Sequence, residues 1–321
     1  MHYIEVMDFA LLPRALRLRP VPRIDDVRAF IADAARSYFD REDGATLDRT
    51  YRSPIGDPGL IGWSSPVVRV HADLPAMMCG GLAALLLQTL HPGAMAGVSD
   101  HSSYRTDRYG RLRRTARFVA VTTFGNRAEA MRLAARVRSI HSRVRGTRPD
   151  GLPYSAEDPV LLRWVHTTEA WSFLRATQQY GARPLDARDC DRYFADMVPV
   201  SELLGATDLP RSLAEAEAFL EAIRPELRYG GQAREAVQFL VEGPRTSRAE
   251  AAGLALLLRC AITLLPEWAR AMLGRPLPGP ITQAAWSASA RATFDVVRWA
   301  LGPHPLAEAA CRRQLGLPPT G

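Results

Sequence analysis

The apolar residues of this chain recur mainly with the period of an α-helix. In DDVRAFIADAARSYF they fall three and four positions apart, which predicts an N-terminal helix over residues 25–40 with Asp25 as its N-cap. The same period predicts further helices at about 186–204, 211–223, 231–241, 248–264 and 281–300, the last belonging to a C-terminal helical region over 281–314.

Two central helices also carry capping signals. The segment NRAEAMRLAARVRSIHSRVRG begins with Asn126, has Glu129 at the third helical position, and stops at Gly146. The segment SAEDPVLLRWVHTTEAWSFLRATQQYG begins in the same way at Ser155 and stops at Gly181. We therefore expect helices over 126–146 and 155–181.

Strand patterns are almost absent from the sequence. Only PVVRV (66–70) and FVAVTTF (118–124) are candidates, and the second equally continues a helix. Repeats and low-complexity linkers are also missing, and LAALLLQTL is apolar enough to be deeply buried. The prediction is an all-α protein with a single domain over 1–321.

The net charge of the chain adds little to this fold prediction. The chain is 47% hydrophobic with a formal charge of +7, and all 41 of its basic residues are arginine. Together with the abundant alanine, this bias indicates a high-GC genome, such as that of an actinobacterium. The basic charge is therefore a weak indicator of nucleic-acid binding, and we expect no nucleic-acid partner.

The location follows from cysteines and hydropathy. The four cysteines are far apart and form no C-x-x-C pair, which fits neither a disulfide framework nor a thiolate zinc site. The N-terminus lacks the pattern of a secretory signal, and no uninterrupted apolar run reaches the about 20 residues of a membrane span. We expect a cytoplasmic protein without a transmembrane segment.

Common catalytic motifs are absent. The sequence has no G-x-G-x-x-G, no P-loop, no G-x-S-x-G and no H-E-x-x-H. No glutamate precedes a histidine by three residues, so the Glu-x-x-His pairs of di-iron proteins are missing as well. Helices with histidines in apolar settings remain, which suits a haem pocket.

Three histidines are candidates for that role. His141 shares a helix face with Ala134 and Val137, and by periodicity alone it is either a core imidazole bonded to a carbonyl or a metal ligand. The same two interpretations hold for His166. His91 follows a very apolar helix, so it either caps that helix or lines a pocket below it.

One arginine-rich stretch, YRTDRYGRLRRTARF, could bind a ligand. Arg111 and Thr115 are four residues apart and therefore share one helix face. For most of the other arginines, a solvated basic face with salt bridges is the simpler interpretation.

Four motifs then follow one another: QTLHP, GRLRRT, IHSRVRG and LLRWVHTT. In this order they resemble the MpaB-type oxygenase family, which shares its catalytic domain with the latex-clearing rubber oxygenases. The resemblance covers about residues 54–275, and the combination is specific although each motif alone is weak. The predicted terminal helices, 25–40 and 281–314, would pack on this part.

The resemblance implies a globin-like helical core around a b-type haem. The Arg-x-x-x-Thr pair near the haem in the rubber oxygenases matches Arg111 and Thr115, and the proximal iron ligand best matches His141. His166 stays the rival ligand because its motif also belongs to the family. The resemblance further places Arg114 and His91 at the haem pocket.

Two departures limit what the resemblance implies. No lysine can serve as a distal base beside Thr115, because the chain has none and Arg114 stands at the neighbouring position. Arginine keeps its proton, so a base would have to be a carboxylate or solvent. Polymer cleavage belongs to one branch of the family, so rubber is not expected as the substrate.

Three functions follow as hypotheses. The first is a haem-dependent oxygenase or oxidoreductase that uses dioxygen or peroxide on a small, largely apolar metabolite, in bacterial secondary metabolism. In it His141 binds the iron, Arg111 pairs with a propionate or polarises bound oxygen, and Thr115 donates a hydrogen bond. The second is a haem carrier or sensor without turnover. The third is a helical interaction module without a cofactor.

Overall fold

Helices form nearly all the regular structure of the protein. The computed structural model describes residues 24–26, 28–29, 44–242 and 248–318. The helix predicted over 25–40 lies outside these residues except at positions 25, 26, 28 and 29, which are helical. The prediction of an all-α fold is confirmed for the described part of the chain.

The helices and strands have the following bounds in chain order. They are α1 (Gly44–Leu47), α2 (Pro66–His71), α3 (Leu74–Gln88), α4 (Pro92–His101), α5 (Arg108–Phe124), α6 (Arg127–His141), β1 (Arg145–Thr147), β2 (Pro153–Ser155), α7 (Pro159–Tyr180), α8 (Ala187–Glu202), α9 (Leu213–Ala222), α10 (Gly231–Glu242), α11 (Arg248–Leu264), α12 (Glu267–Leu273), α13 (Pro280–Leu301) and α14 (Pro305–Gln314). A π-helical turn spans Asp48–Arg52, and 3-10 turns span Ser103–Arg105 and Arg224–Glu226.

The segment 66–70 is helical, so its interpretation as a strand is wrong. Pro66 occupies the first turn of α2, where its missing N–H costs nothing. Ser65 is the N-cap, and its hydroxyl accepts a hydrogen bond from the Val67 amide at 3.2 Å. The second candidate strand, 118–124, is the last part of α5.

Two predicted helix ends are also wrong, for one reason. Helix α6 ends at His141 rather than Gly146, because residues 145–147 pair with 153–155 as a short antiparallel hairpin. That hairpin also takes Ser155 out of the next helix. The N-cap of α7 is instead Asp158, whose carboxylate accepts from the Val160 amide at 2.8 Å.

The centre of the fold is an antiparallel pair, α3 and α7. A side chain at Gly80 of α3 would lie 2.9 Å from the Phe173 backbone, so glycine is needed where the helices approach. Two turns along α3, the Gln88 amide donates to the Val165 carbonyl at 3.3 Å. Residues Leu82, Leu86 and Leu87 are buried in this core, which confirms the prediction for LAALLLQTL.

Helices α5 and α6 form a tight helical hairpin beside this pair. Asn126 is the N-cap of α6, as predicted, and accepts from the Glu129 amide at 2.9 Å. Its own amide donates to the carbonyls of Arg49 and Ser53, both at 2.6 Å. The turn between the two helices is therefore anchored to the chain that precedes α2.

Hydropathy along the described residues contains one feature of membrane length. No single helix there is long and apolar enough to cross a membrane. Helices α3 and α4 reach that length and composition only as a pair, and the pair is bent by 104° at its break.

Candidate active site

A large cavity lies between α3, α5 and α7. Its volume is about 1530 Å³, whereas pockets for drug-sized ligands are roughly 300–1,000 Å³. Apolar side chains of α3, among them Met78, Leu82 and Leu85, form part of its wall. The cavity therefore has room for a large cofactor together with a second molecule.

One row of side chains on α7 extends along the whole cavity. Its members are four residues apart: Leu161, Val165, Glu169, Phe173 and Thr177. At about 1.5 Å per residue, the row covers about 24 Å along the helix axis. The cavity is thus elongated, and Glu169 lies at the middle of its α7 wall.

Helices α5 and α6 contribute two predicted site residues to the same cavity. Arg111 precedes the turn at Gly125 by 14 residues, and His141 follows Asn126 by 15 residues. The two residues are therefore about equally far in sequence from the turn that joins the helices. Both side chains line the cavity.

His141 has the properties of an available ligand. It is the last residue of α6 and is half-buried, and its Nδ1 atom is buried without a hydrogen-bond partner among the described residues. Burial lowers its pKa below 6.5, although the charge of Glu157 opposes this. The ring is therefore neutral at pH 7, which is the protonation state that binds metals.

Arg111 and Thr115 line the same wall, as the four-residue spacing predicts. The guanidinium of Arg111 is half-buried and forms no ion pair or hydrogen bond with the described residues, and burial lowers its pKa. The hydroxyl of Thr115 donates to the Arg111 carbonyl at 3.3 Å. Arg114 is exposed and already paired, with Asp107 at 3.2 Å and with the Ser103 hydroxyl.

The other two predicted histidines do not line the cavity. His166 is buried, and its Nδ1 atom is hydrogen-bonded to the hydroxyl of Ser201 on α8. Burial lowers its pKa to about 4, and its Nε2 atom has no partner among the described residues. His91 is the N-cap of α4, accepting from the Gly93 amide at 3.2 Å, with Nε2 3.8 Å from Glu226.

Four of the six predicted site residues therefore share one cavity wall. They are Arg111, Arg114, Thr115 and His141. Among the described residues, no three His, Cys, Asp or Glu side chains lie close enough to hold a metal ion together.

Glu169 is a cavity residue that sequence reasoning missed. Its carboxyl group has no hydrogen bond or ion pair with any described residue, and burial raises its pKa to about 7. The signal that could have identified it is an acidic residue in the row of apolar residues at i, i+4 spacing, between Val165 and Phe173. The carboxylate that a proton transfer would need is thus present.

His71 also lines the cavity, although no sequence pattern assigns it a role. Its Nδ1 atom is hydrogen-bonded to the hydroxyl of Thr123 at 2.7 Å, and its Nε2 atom lies 3.4 Å from the hydroxyl of Tyr193. Burial lowers the pKa of His71 to about 3. Because its ring is neutral and both nitrogens have partners, His71 stabilises the wall rather than offering a free ligand.

The raised pKa of Glu169 makes stability depend on pH. The folded protein keeps this proton between the ordinary glutamate pKa of 4.5 and the raised pKa of about 7, so the carboxyl destabilises the fold as pH rises through that range. A Glu169→Gln variant should therefore become more stable than the wild type at about pH 8, by up to about 3 kcal/mol, with little such gain at about pH 4.

Urea unfolding at both pH values measures this difference. Glu217→Gln, an exposed position on α9, is the matched control. A Glu169→Gln effect that is the same at both pH values would show that the carboxyl titrates normally.

Comparison with known proteins identifies the family of the chain. Residues 68–301 match the family described as "ER-bound oxygenase mpaB/B'/Rubber oxygenase, catalytic domain". Comparison with curated proteins and with solved structures gives no significant match. The match confirms the resemblance drawn from the four motifs and extends farther toward the C-terminus, covering nearly three quarters of the chain. The chain belongs to the mpaB/rubber oxygenase catalytic-domain family, so its domain is that of an oxygenase.

Proposed function

We propose that this oxygenase uses a b-type haem, bound in the large cavity through His141, to oxidise a small and largely apolar metabolite. One observation carries the proposal. A neutral imidazole without hydrogen-bond partners and a guanidinium without an ion pair, those of His141 and Arg111, line the same 1530 Å³ cavity.

The donor set of the cavity suits haem. A single imidazole is enough as the protein ligand, because the porphyrin supplies the other ligands of the iron. The half-buried guanidinium of Arg111 suits a propionate, since its planar fork binds a carboxylate through two parallel hydrogen bonds. When bound, haem would supply the oxidative chemistry, and the cavity would decide which substrate bond is presented to it.

The residues of the chain would then act by binding and orienting. His141 would hold the cofactor, leaving the rest of the cavity for an apolar substrate. Thr115 could donate a hydrogen bond to a molecule bound beside it by releasing the Arg111 carbonyl, which it contacts at 3.3 Å. The globin-like core, the cytoplasmic location and the role in bacterial secondary metabolism stay predictions.

Absorption spectroscopy tests the cofactor. Protein expressed with an adequate haem supply should show a Soret band and contain one haem per chain. A carrier or sensor would show the same band without consuming dioxygen or peroxide in the presence of any apolar substrate. A protein without the band would be neither an oxygenase of the proposed kind nor a haem carrier.

Arg111 should contribute strongly to haem affinity. Replacement by methionine removes the charge-assisted hydrogen bonds to a propionate, which are worth about 1.5–3 kcal/mol. The Kd for haem should rise by about ten- to a hundredfold in Arg111→Met, and much less in Arg111→Lys, which keeps the charge. Haem titration measures both values, and equal affinity for wild type and Arg111→Met would remove Arg111 from the cofactor site.

A further inference from the structure

Glu169 lies among apolar side chains in the cavity wall. Along α7 it is flanked one turn away on either side by Val165 and Phe173. The neighbouring helix α3 contributes Met78 and Leu82 to the same cavity. This part of the α7 wall therefore presents one carboxyl group between apolar side chains.

Several other polar groups of the wall, unlike Arg111 and His141, have partners within the protein. Asp73 forms an ion pair with Arg298 at 3.0 Å. Arg114 pairs with Asp107, and both ring nitrogens of His71 are engaged. Glu169 is different, because no described residue offers it a hydrogen bond or an opposite charge.

A carboxyl group without a partner in an apolar cavity carries a cost. Buried polar groups in proteins are nearly always hydrogen-bonded, and the free energy rises when a partner is missing. Burial is the cause of the raised pKa of Glu169, with no neighbouring charge to lower it. The partner that the protein does not supply must come from the contents of the cavity.

We propose that Glu169 is the polar anchor of the substrate cavity, and that the preferred ligand is an elongated apolar molecule carrying a basic amine. An ammonium group would provide the Glu169 carboxyl with both a hydrogen bond and an opposite charge. An alcohol would provide the hydrogen bond alone, and a carboxylate would be repelled by Glu169. This inference rests on the proposed function only in taking the large cavity as the substrate site.

The unpaired guanidinium of Arg111 in the same wall agrees with this placement. It disfavours an ammonium group beside it, so the amine is directed to Glu169. From Leu161 to Glu169 is eight residues, or about 12 Å along α7, which leaves room for an apolar segment beside the amine.

Calorimetric titration of the purified protein with three eight-carbon probes tests the proposal. The probes are n-octylamine, 1-octanol and octanoic acid, at a pH near 7.5 where the amine is protonated. We expect the wild type to bind octylamine more tightly than octanol, and octanoate to bind without any contribution from Glu169. Glu169→Gln should weaken octylamine binding about tenfold, change octanol binding by no more than about threefold, and leave octanoate no weaker.

Controls separate anchoring from folding. Glu217→Gln, on an exposed face of α9, should bind all three probes like the wild type, and Glu169→Asp should recover part of the octylamine affinity. Cooperative thermal unfolding establishes that each variant is folded. Equal affinity for the three head groups, or an unchanged octylamine affinity in Glu169→Gln, would overturn the proposal.

The cofactor is tested separately in the same samples. An absorption spectrum recorded during each titration shows whether an amine has bound to haem iron, because that would shift the Soret band. Octylamine binding that depends on Glu169 in protein without a Soret band would support the anchor and contradict the haem proposal. A Soret band, together with an octylamine affinity that does not depend on Glu169, would support the haem proposal and contradict the anchor.

Discussion

A His141→Ala variant is expected to lose haem, with an affinity more than about a hundredfold below that of the wild type. Removal of a residue that only orients a metal ligand typically lowers metal affinity about 10–100-fold. Loss of the ligand itself should lower the affinity further. The variant should remain folded, because His141 is half-buried at the end of α6 and has no hydrogen-bond partner to lose. The intensity of the Soret band at fixed protein and haem concentrations measures the effect.

His166→Ala is the matched comparison. His166 bonds to Ser201 on α8 and does not line the cavity, so the variant should keep the Soret band of the wild type. Added imidazole should restore a haem spectrum to His141→Ala by occupying the space left by the side chain. If instead His166→Ala loses haem and His141→Ala keeps it, the ligand is on α7.

The second large effect is expected at Arg313, outside the cavity, and it concerns the stability of the fold. This guanidinium is 1% exposed and donates to the carbonyls of Tyr51, Phe124 and Gly125 at 2.8–3.1 Å, and to that of Asp57 at 3.1 Å. Replacement by methionine would leave these buried acceptors without a donor. The free energy of unfolding should fall by at least about 3 kcal/mol.

Denaturant unfolding of Arg313→Met and Arg312→Met measures this cost. Arg312 is the neighbouring arginine, and it makes one exposed contact, to the Pro318 carbonyl at 2.8 Å. Its replacement should cost less than about 1 kcal/mol. Similar losses in the two variants would mean that the carbonyls around Arg313 find other donors. Because Phe124 and Gly125 end α5, this cluster also fixes the hairpin that carries Arg111 and His141.

The helices were predictable because their signals are local. Apolar spacing and capping residues indicated α6 and α7, and Asn126 caps α6 as expected. The errors arose where a longer-range contact decided the structure. Gly146 belongs to a hairpin rather than a helix end because its partner, Tyr154, lies eight residues away.

The site was predictable only in part, for a similar reason. The shared face of Arg111 and Thr115 follows from helix geometry, and the role of His141 came from the family resemblance. That His141 and Arg111 line one cavity depends on how α5 and α6 are arranged in space. The missing partner of Glu169 depends on every wall of the cavity, and no sequence pattern carries that information.

Haem binding in the cavity through His141 is best tested by a crystal structure of the haem-loaded protein. We expect haem inside the cavity, with its iron bonded to the imidazole of His141 and a propionate beside Arg111. Iron bonded to another residue, or haem bound outside the cavity, would contradict it.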